Sequence, residues 1–224
     1  TYLHAIRDGA AQMEHTLKIL GKASSINVRK VLWTCEELGI TYEREDWGSG
    51  FASTHSPEFL RFNPNAQVPV IIDEGLVLWE SNTICRYLVG KHHHHHAELL
   101  PTEPAARARV EQWMDWQATE LNPSWRYPFM ALVRKDPEFQ DAHSLEVGIR
   151  GWNQKMGILE HQLATTKAYV AGPRFTLADI VIGLSVNRWL MTPIERTDYP
   201  AVDEYFKRLA QHQGFLKHCC NGLP

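Results

Sequence analysis

The chain has 224 residues, 44% of them hydrophobic and 22% charged, with 23 Lys and Arg against 26 Asp and Glu for a net charge of −3. This is an ordinary globular composition, long enough for one large domain or two small ones, and its charge gives no reason to expect nucleic acid or an anionic membrane as partner. No apolar run approaches the ~18 residues that span a bilayer, and no signal peptide is visible.

Residues 1–12 carry no strong periodic pattern and read as an added or unstructured extension, with Met13 as the expected start. Residues 17–20 form a short apolar strand. A helix comes next over 28–38, with Val28, Val31, Leu32, Cys35 and Leu38 on one face. Gly39 ends it, and 40–47 reads as a second strand. Ser56-Pro57-Glu58 opens a short helix with proline at its first position. Residues 68–73 and 76–79 make a hairpin around Glu74-Gly75, and Ser81 is expected to cap a helix running to about Gly90. The order βαβαββα predicts a mixed sheet with helices on its faces.

The pattern changes after a linker at 91–103. Its run from His92 to His96 reads as a solvated low-complexity segment rather than a metal site. Pro104 starts a long helix with Val110, Trp113, Met114 and Leu121 on one side, and Pro123 and Pro128 interrupt the segment beyond it. Leu145, Ile149, Trp152, Met156, Leu159 and Leu163 form a second helical stripe. Gly148, Gly151 and Gly157 lie within it and weaken its intrinsic preference, so packing must hold it. Thr176-Leu177-Ala178-Asp179 has the form of a capping box before an apolar run, which gives Asp179 a folding role. A last helix covers 200–211, with Val202, Tyr205, Phe206 and Leu209 inward. No convincing strand lies in this half. The expected organisation is an extension (1–12), an α/β domain (13–90), a linker (91–103) and an all-helical domain (104–224).

Three places carry chemistry. Pro69 sits in a run of valine and isoleucine, where proline cannot join a ladder; it fits at the strand's first position with a cis Val68-Pro69 bond. That bond would turn the backbone of Val68 outward, where a peptide-like ligand could pair as an added strand. Glu80 and Ser81 lie where the next strand hands over to a helix. There a carboxylate can hold an amine, and helix N–H groups a carboxylate. Ser24 and Ser25 precede the first helix. Either can be a simple N-cap, or can donate its hydroxyl to a thiolate beside the helix dipole. A thiol of pKa ~8.5 is only about 3% ionised at pH 7. Lowering it by ~2 units takes about 2.7 kcal/mol. One hydrogen bond to a charged group gives ~1.5–3 kcal/mol and a helix N-terminus ~0.3–1, which together suffice.

The chain resembles the cytosolic glutathione transferase family from Met13 onward. The resemblance rests on Ser-x-x-x-Arg-x-Val at Ser25, Arg29 and Val31, Asn-Pro-x-x-x-Val-Pro from Asn63 to Pro69, Glu80-Ser81, and Thr-x-x-Asp at Thr176 and Asp179. It is closest in kind to the bacterial serine-type enzymes of theta, phi or zeta character. It implies a thioredoxin-like N-terminal domain followed by a helical-bundle domain, and glutathione as co-substrate with no metal. The chemistry implied is attack of the glutathione thiolate on a small electrophilic, hydrophobic acceptor. By this resemblance Ser25 activates the thiol, with Ser24 as the neighbouring alternative. Val68, before Pro69, pairs with the cysteinyl backbone. Glu80 takes the γ-glutamyl amine and Ser81 its carboxylate, Gln67 adds a polar contact, and His55 approaches the glycine carboxylate. Trp116, Trp125 and Tyr127 could line an apolar acceptor pocket, with core packing as the other role for each. The same resemblance implies a cytoplasmic homodimer.

No tyrosine lies between Leu17 and Lys30 and no cysteine in the activating loop, so the tyrosine and cysteine classes do not fit. Cys35 is ten residues beyond Ser25, roughly 15 Å along the helix, and reads as core. Four cysteines (Cys35, Cys85, Cys219, Cys220) have neither C-x-x-C nor metal spacing, which fits a reducing compartment. Cys219 and Cys220 are expected in an exposed tail. Two other readings stay open: a different glutathione-dependent reaction at the same site, such as dehalogenation, disulfide reduction or isomerisation, and a non-catalytic binding protein of the same fold.

Overall fold

The computed structural model describes residues 15–92 and 98–224; the expectations for 1–12 and for most of the histidine run lie outside the described residues. The first domain runs β1 (Leu17–Leu20), α1 (Ile26–Leu38), β2 (Tyr42–Glu45), α2 (Pro57–Leu60), β3 (Val70–Asp73), β4 (Leu76–Trp79) and α3 (Ser81–Lys91). Strand order is β2-β1-β3-β4, with β1 parallel to β2 and antiparallel to β3, and β3 antiparallel to β4. This is the mixed sheet of a thioredoxin-like domain.

Alternation along the strands divides the core between the two faces. Leu17, Ile19 and Ile71 join the main core with Val28, Val31 and Leu32 of α1 and Ile84 and Leu88 of α3. Leu20 and Val70 point the other way and pack with Trp47 and Phe59, whose rings lie 5.2 Å apart. The second strand is shorter than the expected 40–47. Ser81 is not the cap of α3 but its first residue; the capping position is Glu80.

The second domain holds α4 (Pro104–Trp116), a π-helical turn (Gln117–Leu121), α5 (Asn122–Ser124), α6 (Arg126–Leu132), α7 (Ala142–Thr166), α8 (Leu177–Met191) and α9 (Pro200–Leu209). A second π-helical turn (Phe215–Cys219) comes after α9. Pro104 is the first residue of α4, and the Glu103 carboxylate accepts from the Ala105 and Ala106 amides at 3.0 and 2.8 Å. Gly148 shows why glycine is tolerated inside α7: a Cβ there would lie 2.9 Å from Pro128 Cδ, so its absence lets α6 and α7 meet closely. Helix α8 is rich in apolar residues and has no solvent face: 13 of its 15 residues are buried. A helix of that kind belongs at the centre of a core. It packs against α1, α4 and α9. Among the described residues no helix is long and apolar enough to cross a membrane.

The chain end departs from the exposed tail expected for it. Cys219 is buried, although Cys220 is exposed. The cause is Arg29, a buried residue of α1 whose guanidinium donates to the carbonyls of His218 (2.8 Å), Cys219 (2.6 Å), Leu223 (3.2 Å) and Pro224 (3.1 Å). Trp33, on the same helix, packs its ring 5.9 Å from that of Phe215. Arg29→Met leaves these carbonyls without their donor and is expected to lower stability by roughly 2–4 kcal/mol. Hydrogen exchange should quicken first at the Cys220 amide, which donates to Phe215 at 2.8 Å; uniform acceleration over the whole chain would count against a local clamp.

Candidate functional site

The loop from β1 to α1 is held at both ends. The Gly21 amide donates to Glu45 O (2.9 Å) and the Lys22 amide to Trp47 O (3.0 Å). Gly21 has φ +150°, and a Cβ there would overlap the Val28 side chain and come within 3.0 Å of Val68 Cβ. Only glycine lets this loop lie directly against the Val68-Pro69 turn. Ser25 is the N-cap of α1: its backbone is extended and its Oγ accepts from the Val28 amide at 3.5 Å. A capping serine uses a lone pair, so its O–H remains free to donate. Ser24 is exposed and Ser25 half-buried.

The turn before β3 is organised by Asn63, which is buried. Its Nδ2 donates to Gln67 O at 2.8 Å, and its Oδ1 accepts from the Asn65 amide at 3.0 Å. The Val68-Pro69 bond is cis. At the start of α3, Glu80 has φ +74°, a conformation that costs a non-glycine residue about 1–3 kcal/mol and gathers at functional sites. Ser81 is buried, and its hydroxyl donates to Asn27 Oδ1 at 3.4 Å. These segments converge on a small pocket of about 40 Å³ lined by Asn27, Asn63, Gln67, Val68, Pro69, Glu80 and Ser81. It adjoins a larger one of about 290 Å³, which shares Asn27, Gln67, Glu80 and Ser81 and is closed by Gln117 and Asn122 of the helical domain.

Five of the residues expected at the site, Gln67, Val68, Pro69, Glu80 and Ser81, thus meet around one cavity. Ser24 and Ser25 lie on the loop before α1, and neither lines this cavity or the larger one. His55 is exposed and outside it; its amide donates to Ser53 Oγ at 3.2 Å. Of the three aromatics expected in an acceptor pocket, Trp116 is half-buried, with its ring edge-on to Trp113 at 5.1 Å. Tyr127 is half-buried, and its hydroxyl accepts from the Asp141 amide at 2.9 Å. Trp125 is only 3% exposed and belongs to the core, where the Arg188 guanidinium lies 5.4 Å from its ring. Cys35 is fully buried as expected, and burial pushes its thiol far up; Cys85, likewise buried, rises to about 11. Neither offers a thiolate at neutral pH.

Sequence patterns give no role to Asn27, Lys30, Asn82 or Gln117. Lys30 is 3% exposed, and its Nζ donates to Gln117 Oε1 (2.9 Å) and Asn82 Oδ1 (3.2 Å). Burial, the largest cause, lowers its amine to about 8, against smaller opposing effects of Cys85 and Glu80. The folded chain therefore loses this proton before the unfolded chain does, and stability rises with pH between about 8 and 10.5 by up to about 3 kcal/mol. Urea unfolding at pH 7.5 and 9.5 should show that rise in the native chain and a flatter response in Lys30→Met.

Residues 15–90 match the family described as glutathione S-transferase, N-terminal domain, and residues 125–213 the one described as glutathione S-transferase, C-terminal domain. Glutathione S-transferase GstB of Escherichia coli (strain K12) is 32% identical over 203 residues, covering 90% of this chain and 96% of that protein. The chain belongs to the glutathione S-transferase family. Among solved structures, a theta class glutathione S-transferase from the citrus canker pathogen Xanthomonas axonopodis pv. citri, with glutathione bound, superimposes with a TM-score of 0.85 at 32% identity, covering 93% of this chain and 99% of that one. Elongation factor 1-gamma 2 from Oryza sativa subsp. japonica is 29% identical, covering 85% of this chain but 45% of that protein. As a glutathione S-transferase family member, the chain places its cis-proline turn and its Glu80-Ser81 corner in the first matched segment. The second matched segment opens at Trp125 and includes the buried helix α8.

Proposed function

We propose that this protein is a glutathione transferase that binds the tripeptide along the Val68-Pro69 edge and over the Glu80-Ser81 corner. The observation that carries this reading is the convergence of Asn27, Gln67, Val68, Glu80 and Ser81 on one cavity, from three separate parts of the chain. Val68 supplies its backbone to the cysteinyl part of glutathione, Glu80 its carboxylate to the γ-glutamyl amine, and Ser81 its hydroxyl, turned from Asn27, to the γ-glutamyl carboxylate. Gln67 adds a polar contact, and His55 reaches the glycine end. Ser25 donates to the thiolate, with Ser24 as the neighbouring alternative, in the manner of the theta-, phi- or zeta-like serine enzymes. The thiolate attacks an electrophilic carbon on an apolar acceptor held by Trp116 and Tyr127, whereas Trp125 is buried in the core. The protein contributes binding, orientation and electrostatics, and glutathione is the nucleophile.

The working form we assign is a cytoplasmic homodimer. The edge strand supports pairing of two copies, because Leu76, Val77 and Trp79 are all more than a third exposed. Titrating the ultraviolet absorbance of the bound thiolate tests the activity. A thiol pKa well below that of free glutathione supports a transferase. Tight binding with an unshifted thiol leaves a glutathione-binding protein instead.

A further inference from the structure

The cleft between the two domains has a floor that the proposed glutathione contacts do not use. Lys30 comes from α1, Asn82 from α3 and Gln117 from the π-helical turn that ends α4, so both domains build it. The Lys30 ammonium donates to two neutral amide oxygens, Gln117 Oε1 at 2.9 Å and Asn82 Oδ1 at 3.2 Å. It has no carboxylate partner among the described residues. An ammonium carries three protons, so one stays uncommitted. The Asn82 amide nitrogen is engaged by Met114 O at 3.0 Å. Gln117 Nε2 is fully buried and has no partner. Lys30 and Gln117 line the same 290 Å³ cavity as Glu80 and Ser81.

A buried cation beside an unpaired amide donor is costly, and such groups are ordinarily matched. An acceptor that enters the cavity with negative charge would match both; of the carboxylates already lining it, Asp115 pairs with Arg86 at 3.5 Å. The π-helical turn is a further sign, since these irregularities collect at functional sites.

We propose that Lys30 and Gln117 bind the γ-glutamyl α-carboxylate of glutathione together with Ser81, so that the helical domain completes the far end of the glutathione site. The inference rests on the assignment of glutathione as the ligand. Asn82 holds the Lys30 ammonium in place and is a positioning residue. The pair favours a peptide whose N-terminal unit carries a free carboxylate beside its amine. The domain interface then senses whether the site is filled, because one carboxylate bridges groups from α1, α3 and the helical domain.

The test is calorimetric binding of three peptides to the native chain, to Lys30→Met and to Gln117→Leu. The peptides are glutathione, an analogue with 4-aminobutyryl in place of γ-glutamyl, lacking its α-carboxylate and retaining an amine, and an analogue with an ethylamide in place of glycine. In Lys30→Met, glutathione and the ethylamide analogue are expected to bind about 10- to 100-fold more weakly, the range of one charge-assisted contact. The aminobutyryl analogue, already weak in the native chain, is expected to stay within about twofold, because the group that Lys30 would meet is missing. Gln117→Leu keeps the cation and is expected to show the same selectivity with a loss of about 3- to 10-fold, so it tests the contact even where Lys30→Met fails to fold. Equal weakening of glutathione and the aminobutyryl analogue would show a purely structural role and overturn the inference. So would unchanged binding of all three. A native chain that binds none of the peptides overturns the glutathione reading itself.

Discussion

Replacing Asp179 by alanine is expected to lower stability at neutral pH by about 4 kcal/mol and the melting temperature by roughly 10 °C. The carboxylate is fully buried at the start of α8. Its Oδ1 accepts from the Val170 amide at 3.0 Å and the Tyr205 hydroxyl at 2.8 Å, and its Oδ2 from the Thr176 amide at 2.9 Å. Alanine strands three buried donors, each worth about 1–3 kcal/mol when unpaired. Against that stands the relief of a buried charge: burial pushes the carboxyl up to about 6, while the three hydrogen bonds restrain the rise. The folded state therefore takes up this proton at a higher pH than the unfolded chain. The group's contribution falls as pH rises from about 4 to 6, so the alanine penalty should be larger at pH 4.5 than at pH 7. Urea unfolding at both values checks this. A loss below about 1 kcal/mol would mean that the connection from Val170 to Thr176 can find other acceptors.

Local patterns in the sequence are enough for the strands, the cis-proline turn and the Glu80-Ser81 corner, because each depends on neighbours a few residues away. Pro69 inside a valine-isoleucine run, for example, has few places to go in a sheet. Periodicity gives α1 a single inward face through Val28, Val31, Leu32, Cys35 and Leu38. The structure buries Arg29, Lys30, Trp33 and Thr34 as well, because α1 is enclosed by α3, by α8 and by the final turn of the chain. A charged residue between apolar positions ordinarily marks a solvent face. The reversal here comes from partners distant in sequence. Arg29 is held by residues about 190 positions away and Lys30 by Gln117, 87 positions away. No window of ten or fifteen residues contains such partners. The aromatic supply from the end of α4 onward has the same limit, since Trp116, Trp125 and Tyr127 share a composition but not an environment. One is packed in the core, and two reach the surface.

Ser25→Ala is expected to raise the pKa of the bound glutathione thiol by about 1–2 units and to cut turnover near pH 6.5 by roughly 10- to 100-fold. Two roles are proposed for the serine. As N-cap its oxygen accepts from the Val28 amide, a contact long enough at 3.5 Å that losing it should cost no more than about 1 kcal/mol of stability. Its proton is the donor assigned to the thiolate. Ser25→Asp separates the two, because aspartate caps a helix as well as serine does but brings no donor and a repelling charge. That variant should melt near the native temperature and still lose the thiol shift, whereas a cap effect alone would leave turnover intact. Ser25→Thr should keep both functions. Ser24→Ala supplies the remaining comparison, since that serine is exposed and one residue nearer β1. A thiol pKa that stays low in Ser25→Ala and rises in Ser24→Ala would move the donor by one residue. A pKa unmoved by either would leave the α1 dipole as the source, although a helix N-terminus supplies only about 0.3–1 kcal/mol and so less than one unit.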